Sequence, residues 1–484
     1  MQYKDRIALV KFLLNLEQKY KVERIEIEGI KIWPIIKKSI FFLQFNRNKK
    51  KSSQKKVRNT LYGKFRNKLL SLIRFCYSIF NLLFYYNLSK SKVVFSGAKG
   101  HRVFYNKHSV NRYFDPIIDQ LEIHGGRGYL FEYSVTNNSK LYRRERVFKL
   151  TYLFPFFKFF TNFPSVSLKN DETDLNNILL EVQERYDLDK QLLLNKILSI
   201  LFTVIVWAKI YSFIFKKVNP ELSFGLCYYN NEMLGMNLAA SRLGVMSIDM
   251  QHGAQGELHP MYTYNRKLLS DFEMLPDIYW VWDKVSGKNI ENWIRPNKKV
   301  IYGGNPWIDF LKEKSISINV DKPVILITVQ PLNPVLEKDI LEVIYKSSDR
   351  YEWWIRYHPR MTLSEKNDFE KELKEFNILK KVNFDIPNEL ELPQLLEIAS
   401  VHISRYSGSI SEASMVGVPS IICDEIGLEI YKDLELNQTI FNGCLENSDE
   451  VLSLIDTVIS LGKNDRKETN TEKDYKVILD EINS

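Results

Sequence analysis

Three short runs hold most of the side chains in this sequence that can do chemistry. The first is Gln251-His252-Gly253-Ala254-Gln255-Gly256, directly after the apolar run Met246–Met250. Its two glycines allow a tight turn and a close approach of backbone to a ligand. A neutral imidazole at His252 can take a proton from an attacking hydroxyl; it can equally be a structural histidine bonded to a backbone carbonyl. The second run is Arg356-Tyr357-His358-Pro359-Arg360, where Pro359 biases His358 to extended geometry. Its arginines and His358 flank a phosphate-sized space, and a guanidinium fork suits phosphate oxygens. A salt-bridged surface turn is the plainer alternative. The third run, Ser404-Arg405-Tyr406-Ser407-Gly408-Ser409-Ile410-Ser411-Glu412-Ala413, reads as a strand, a Ser/Gly turn and a helix. Free N–H groups at a helix N-terminus, with a dipole worth roughly half a positive charge, favour an anion. Ser407 and Ser409 are candidates to hold a phosphate, and Glu412, about one turn into the helix, to reach ribose hydroxyls. An ordinary N-cap accounts for any one of these serines alone.

Several chemistries lack their motifs. There is no GxxxxGK[ST] loop, no GxGxxG after a strand, no HExxH and no DxD pair at a strand end. This speaks against nucleotide hydrolysis and dinucleotide redox chemistry, and no cofactor or obligatory metal is expected at the reaction centre. Leaving-group charge then falls to a helix dipole, Arg and His. The four cysteines form no CxxC pair, which fits a reducing, cytoplasmic setting. Acidic and basic residues interrupt the first apolar run, so no signal peptide is expected.

Two α/β halves must position these runs. At 484 residues the chain is long enough for two or three domains. From residue 91, short apolar strands alternate with helices: Val93 to Phe95, then Leu222 to Tyr229, a helix from Glu232 to Leu243 ended by Gly244, and a strand from Val245 to Met250. The alternation restarts after Pro296 with strands Lys299 to Tyr302, Val324 to Val329, Tyr351 to Tyr357, Val401 to Ser404 and Ser420 to Cys423. This is the pattern of parallel sheets covered by helices. The domains read as a helical, basic extension over 1–90, an N-terminal Rossmann-like half over 91–296 and a C-terminal one over 297–484. The apolar run Ile197 to Phe215 is near spanning length, but Lys209 within it and the turn and strand after it favour a crossover helix. The segment Lys463 to Asp474 is polar, with a last helix expected over Tyr475 to Ile482.

Charge is concentrated. Ten cations and no acid lie between Arg47 and Lys68, and without them the net +9 becomes −1. That argues against a broad nucleic-acid surface and suits contact with anionic lipid headgroups at the inner membrane; a solvated loop is the alternative. Lys64 to Tyr86 mixes cations with Leu, Ile and Phe, as in a helix lying on a membrane or packed on the neighbouring domain.

In this order the three runs resemble those of bacterial GT-B glycosyltransferases of capsule and O-antigen synthesis: the sialyl- and Kdo-transferases and the CDP-glycerol glycerophosphotransferases of teichoic acid. The resemblance covers roughly residues 91–440. It implies two Rossmann-like domains facing across a cleft, with the donor on the second. His358-Pro359 matches the HP pair, and Ser407 the serine motif, that hold the cytidine monophosphate part of the donor. Gly408 stands where a second serine is common. Ser411-Glu412-Ala413 through Gly417-Val418-Pro419-Ser420 is similar to the E-A…G-x-P segment of GT-B donor domains. His252 matches the catalytic histidine of the polymerases, while the sialyl-type enzymes use an acid, for which Asp115, where a helix begins, is the nearest candidate.

The resulting expectation is a metal-independent glycosyltransferase at the cytoplasmic face of the inner membrane. Its catalytic residue is His252 or Asp115. Its donor site is His358, Pro359, Arg360, Ser407, Gly408, Ser409 and Glu412. A CMP-linked sugar of Kdo or sialic-acid type is the donor and a lipid-linked glycan the acceptor. The rivals are transfer of a polyol phosphate from a CDP donor, nucleotide-sugar epimerisation, and a non-catalytic assembly protein of the same fold.

Overall fold

The computed structural model describes residues 3–47, 61–123, 127–134, 140–166, 174–253, 255–265, 271–312, 318–435 and 439–461, without the side chains of 3–5, 43–47, 61–69, 123 and 433–435. The side chains of the cationic block Arg47 to Lys68, Ala254, the polar segment Lys463 to Asp474 and the helix expected over Tyr475 to Ile482 lie outside the described residues. The chain divides into two compact units, Met1–Pro306 and Trp307–Lys473.

The first unit opens with helices α1 (Tyr3–Lys19), α2 (Trp33–Arg47) and α3 (Leu61–Tyr86). Among the described residues, the seven strands of one sheet follow: β1 (Val93–Gly97), β2 (Gly128–Glu132), β3 (Val147–Lys149), β4 (Leu222–Leu226), β5 (Met246–Met250), β6 (Ile278–Trp280) and β7 (Lys299–Ile301). Between them run α4 (Asp115–Ile123), α5 (Phe154–Phe159), α6 (Asp174–Tyr186), α7 (Lys190–Val218) and α8 (Asn231–Leu243). All pairings in this sheet are parallel, in the order β7-β6-β5-β4-β1-β2-β3. The chain thus builds from β1 out to β3, returns to the other side of β1 as β4, and continues to β7. The strand Lys299–Ile301, read from sequence as opening the second half, is instead the edge of this first sheet. Its pairing with β6, which begins where Lys299 N–H donates to the Asp277 carbonyl at 2.9 Å, decides this.

Helix α7 makes the return crossing. Asp189 caps it by accepting from Leu192 N–H at 2.7 Å, and Asn219 ends it in the left-handed region at φ +51°. It is long and apolar enough to cross a membrane by composition. Its apolar side chains are spent elsewhere: Ile197, Leu201 and Val204 lie in one core, and Trp207, Ile210, Tyr211 and Ile214 in another. Gly235 lets α8 approach it closely, since a Cβ there would sit 2.6 Å from Trp207 Cβ and 2.9 Å from the Val204 carbonyl.

The first forty residues join this unit's core rather than extend from it. Leu9, Leu13, Leu16, Trp33 and Ile36 are buried together with Leu179, Leu201, Tyr262 and Phe272. A buried ion pair locks the arrangement: Lys37 Nζ lies 2.7 Å from Glu17 Oε1, and both side chains are essentially inaccessible. Trp33 Nε1 donates to the same carboxylate at 2.8 Å, Asn265 N–H to its other oxygen at 2.7 Å, and Lys37 also donates to the Thr263 carbonyl. Helices α1 and α2 thereby hold the segment that follows the His252 loop.

Among the described residues the second unit has six strands: β8 (Val324–Thr328), β9 (Glu352–Arg356), β10 (Val382–Asn383), β11 (Val401–Ser404), β12 (Ser420–Ile422) and β13 (Ile440–Asn442). Its helices include α9 (Lys338–Ser347), α10 (Leu363–Glu375), α11 (Ser409–Met415), α12 (Glu425–Glu435) and α13 (Ser448–Ser460). This sheet is also parallel, in the order β10-β9-β8-β11-β12-β13, and β8 is buried along its whole length. Apolar clusters cover both faces, as a parallel sheet requires.

Removing one partner of the buried pair leaves an uncompensated charge. We therefore expect Glu17→Ala to lower unfolding free energy by about 3–5 kcal/mol, measured by denaturant titration.

Candidate functional site

In an open parallel sheet a crevice forms at the carboxyl edge where strand order reverses. In the first unit that point lies between β1 and β4, and the loops leaving β1, β4 and β5 converge there. Gln251 begins the last of these loops and is a structural anchor: its amide accepts from Trp282 N–H at 2.6 Å and donates to the Gly253 carbonyl, Asp283 and Ser286 at 3.0 Å each. His252, half-buried beside it, has Nε2 2.9 Å from Cys227 Sγ and 3.4 Å from the Tyr229 hydroxyl. Burial, reinforced by the nearby Arg112 guanidinium, pushes its pKa down to about 4. The imidazole is therefore neutral at pH 7 and able to accept a proton. Asp249, buried within β5, accepts from Tyr228 N–H at 2.9 Å and from the Tyr262 hydroxyl at 2.7 Å, fixing the loop that carries Cys227 and Tyr229.

His101 and Arg112 join this edge, and the sequence reading passed over both. His101 accepts from Ala98 N–H at 3.1 Å through Nδ1. Burial, then His252, Arg112 and Arg102, push its pKa down to about 3. The only sequence signal for either is position: His101 follows the end of β1, and Arg112 follows the hairpin Arg102–Tyr105/His108–Asn111.

Asp115 lies deeper, with 1% of its surface exposed. Its Oδ2 accepts from Asn111 N–H at 2.6 Å and stands 3.9 Å from Arg102. Burial raises its pKa to about 7 against the pull of that guanidinium. Asn111 in turn accepts from the N–H groups of Tyr113 and Phe114, so Asp115 fixes the turn that starts α4. His252 is the more accessible of the two sequence-derived candidates.

In the second unit the strand order reverses between β8 and β11. His358, Pro359 and Arg360 follow β9, and Ser407, Gly408 and Ser409 follow β11, one strand to either side of β8. His358 accepts from Arg360 N–H at 3.0 Å through Nδ1. That bond assigns the neutral tautomer with its proton on Nε2, free to donate. Burial and the Arg360 charge lower the His358 pKa, which keeps the ring neutral. Pro359 and Arg360 are exposed, and Arg356 is spent on the Pro387 and Leu390 carbonyls.

The two serines face different ways. Ser409 is buried, its hydroxyl 2.8 Å from Thr328 Oγ1, which also meets His402 Nε2 at 2.9 Å and Ser404 Oγ at 3.0 Å. His402 completes the network through Nδ1 at 2.8 Å from Ser420 Oγ. Ser409 thus belongs to the sheet's interior polar network. Ser407 is partly exposed, and its hydroxyl accepts from Ser409 N–H at 3.3 Å. At Gly408 an added Cβ would meet nothing within 4 Å, so a serine fits there. Glu412 is partly exposed on α11. Beside this turn a cavity of ≈ 400 Å³ is lined by Glu337, Arg405, Cys423, Asp424, Ile426 and Cys444. Arg405 is held there by Asp424 at 2.8 and 3.0 Å.

No protein-family model matches the chain, and no curated protein matches it. Solved structures to which it is similar include UDP-GlcNAc 2-epimerase from Neisseria meningitidis bound to UDP-GlcNAc, at 15% identity and TM-score 0.49 over 81% of this chain and 98% of that one. The UDP-GlcNAc 2-epimerase from Methanocaldococcus jannaschii is 13% identical, with TM-score 0.45 over 80% of this chain and 97% of that one. CalG4, the calicheamicin glycosyltransferase, is 11% identical, with TM-score 0.40 over 81% and 95%.

His402 supplies a pH prediction. Burial lowers its folded pKa from 6.5 to about 3, so on acidification the unfolded chain takes up the proton first. Its contribution to stability is complete above about pH 6.5 and lost as pH falls toward 3. His402→Asn should melt lower than the parent at pH 7.5, yet lose less further stability between pH 6.5 and 4, as followed by thermal denaturation.

Proposed function

We propose that this protein is a glycosyltransferase that moves a sugar from a CMP-linked donor onto a lipid-linked glycan. The observation that carries the reading is the His358 tautomer. A ring with Nδ1 occupied by its own turn and an Nε2–H left to donate suits a phosphate oxygen. Arg360 adds charge, and the partly exposed Ser407 turn lies two strands away, roughly 10 Å at the usual strand spacing. A phosphate between them finds donors from two strand ends at the reversal point. The adjoining cavity has room for a nucleoside, and its carboxylates suit ribose hydroxyls and an exocyclic amine.

The acceptor hydroxyl attacks the anomeric carbon as the bond from that carbon to the phosphate oxygen breaks. The nucleotide leaves with the bonding pair. His358 and Arg360 meet the negative charge that grows on the phosphate. We assign His252 as the base that takes the hydroxyl proton, since its ring is neutral at pH 7. An anionic substrate nearby would raise its basicity by offsetting Arg112. Asp115 we assign to positioning the turn that carries Arg112 and Tyr113.

A ligand that binds only the folded state adds about 2.7 kcal/mol of stability at a hundredfold excess over Kd, and so raises the melting midpoint. CMP, CDP, UDP, GDP and dTDP are screened by thermal shift against the parent, His358→Ala and His252→Ala. CMP should stabilise the parent and His252→Ala but not His358→Ala. His252→Ala should slow transfer by at least about a hundredfold. Stabilisation by UDP, GDP or dTDP in place of CMP would overturn the donor class, and no response to any nucleotide would overturn the transferase reading.

A further inference from the structure

Between Glu28 and Asp115 the sequence contains no Asp or Glu and twenty Lys and Arg. Helix α3 lies inside this stretch. The neighbouring segments share the bias: no acid occurs from Val147 to Asn170 around α5, nor from Lys190 to Pro220 along α7, which carries five lysines.

Helix α3 packs on the first unit along one narrow line. Ser78 and Tyr85 are buried on it, and the Phe75 ring lies 4.9 Å from that of Phe159 and 5.9 Å from that of Phe156. Among the described side chains of α3, most of the others are exposed, and most of those are apolar. Ile73, Tyr77, Phe80 and Phe84 follow one another at i, i+4, i+7 and i+11, a single helical stripe, and are 55%, 50%, 56% and 59% exposed. On the packed side of α3, Phe159 and Phe160, at and just after the end of α5, meet the Phe75 ring and are themselves 72% and 59% exposed. Cations lie beside these aromatic residues: Lys209 Nζ donates to the Phe160 carbonyl at 2.9 Å, and Lys217 Nζ lies 4.4 Å from the ring centre of Tyr86. So many exposed aromatic side chains on neighbouring elements of a globular unit mark a contact face.

We propose that the α3–α5 face docks the first unit onto an anionic phospholipid surface. Aromatic and branched side chains enter the headgroup boundary, and the lysines beside them pair with lipid phosphates. Charge selects this occupant. A second copy of the chain would bring one acid-free, cationic face against another. An anionic bilayer offers hydrocarbon for the stripe and negative charge for the lysines together. The inference goes beyond the transferase reading and does not depend on it, because the binding involves no nucleotide.

The full chain is tested by co-sedimentation with vesicles of phosphatidylcholine alone and of phosphatidylcholine mixed equally with phosphatidylglycerol. Binding to the mixed vesicles should exceed binding to the neutral ones by at least about tenfold. Phe80→Glu/Phe84→Glu should weaken it by a similar factor, and Phe159→Ser/Phe160→Ser should weaken it too, with circular dichroism and melting temperature unchanged. Binding insensitive to both double variants would show attraction by charge alone and overturn the proposal. So would absence of binding to anionic vesicles, or a dimer in light scattering that the same variants dissociate.

Discussion

A parallel strand can reach its neighbour only through a crossover, and crossovers have one favoured hand. A chain that builds a parallel sheet outward from its first strand, and then returns to the other side of it, must cover the two halves on opposite faces. The loops at the reversal part and leave a crevice. This protein does so twice, at β1/β4 and at β8/β11. The placement of His101, His252, His358 and Ser407 follows from that constraint, because each leaves the carboxyl end of a strand at or beside a reversal.

Holding these loops falls to buried polar groups. Gln251 spends its amide on the next strand and helix, Asp249 ties down two tyrosines, and the Glu17–Lys37 pair anchors the segment beyond the His252 loop from helices more than two hundred residues away in sequence. In the second unit the Thr328, His402, Ser404, Ser409 and Ser420 network joins three adjacent strands beneath the Ser407 turn. Buried groups so fully engaged restrict a loop to one arrangement. The partly exposed residues they support, His252, His358 and Ser407, are left to meet a ligand.

Eight of the thirteen strands labelled here are legible in the sequence as short apolar runs, whereas Gly128–Glu132, Val147–Lys149, Ile278–Trp280, Val382–Asn383 and Ile440–Asn442 are too short or too mixed in composition to stand out. The run from Ile197 to Phe215 is legible as a crossover helix from the turn and strand that follow it. What could not be read was anything set by distant partners. Lys299–Ile301 has the composition of a strand, but only its pairing with β6 assigns it to the first sheet. Ser407 and Ser409 are alike as residues two apart, and only Thr328 turns one of them inward. Arg102 is thirteen residues from Asp115, but the turn between them and burial under the sheet edge are needed to see the carboxylate enclosed. His101 and Arg112 belong to no recognisable run, and convergence with His252 gives them significance.

The central claim is that a nucleotide phosphate is held at the β8/β11 reversal of the second unit. Amide hydrogen exchange with and without saturating CMP tests it most directly, since it reports by peptide and needs no turnover. Slowed exchange is expected in peptides covering 356–361 and 404–412, with the His252 loop unchanged by CMP alone. Protection confined to the first unit, or no protection in either segment at a concentration that saturates binding, would contradict it.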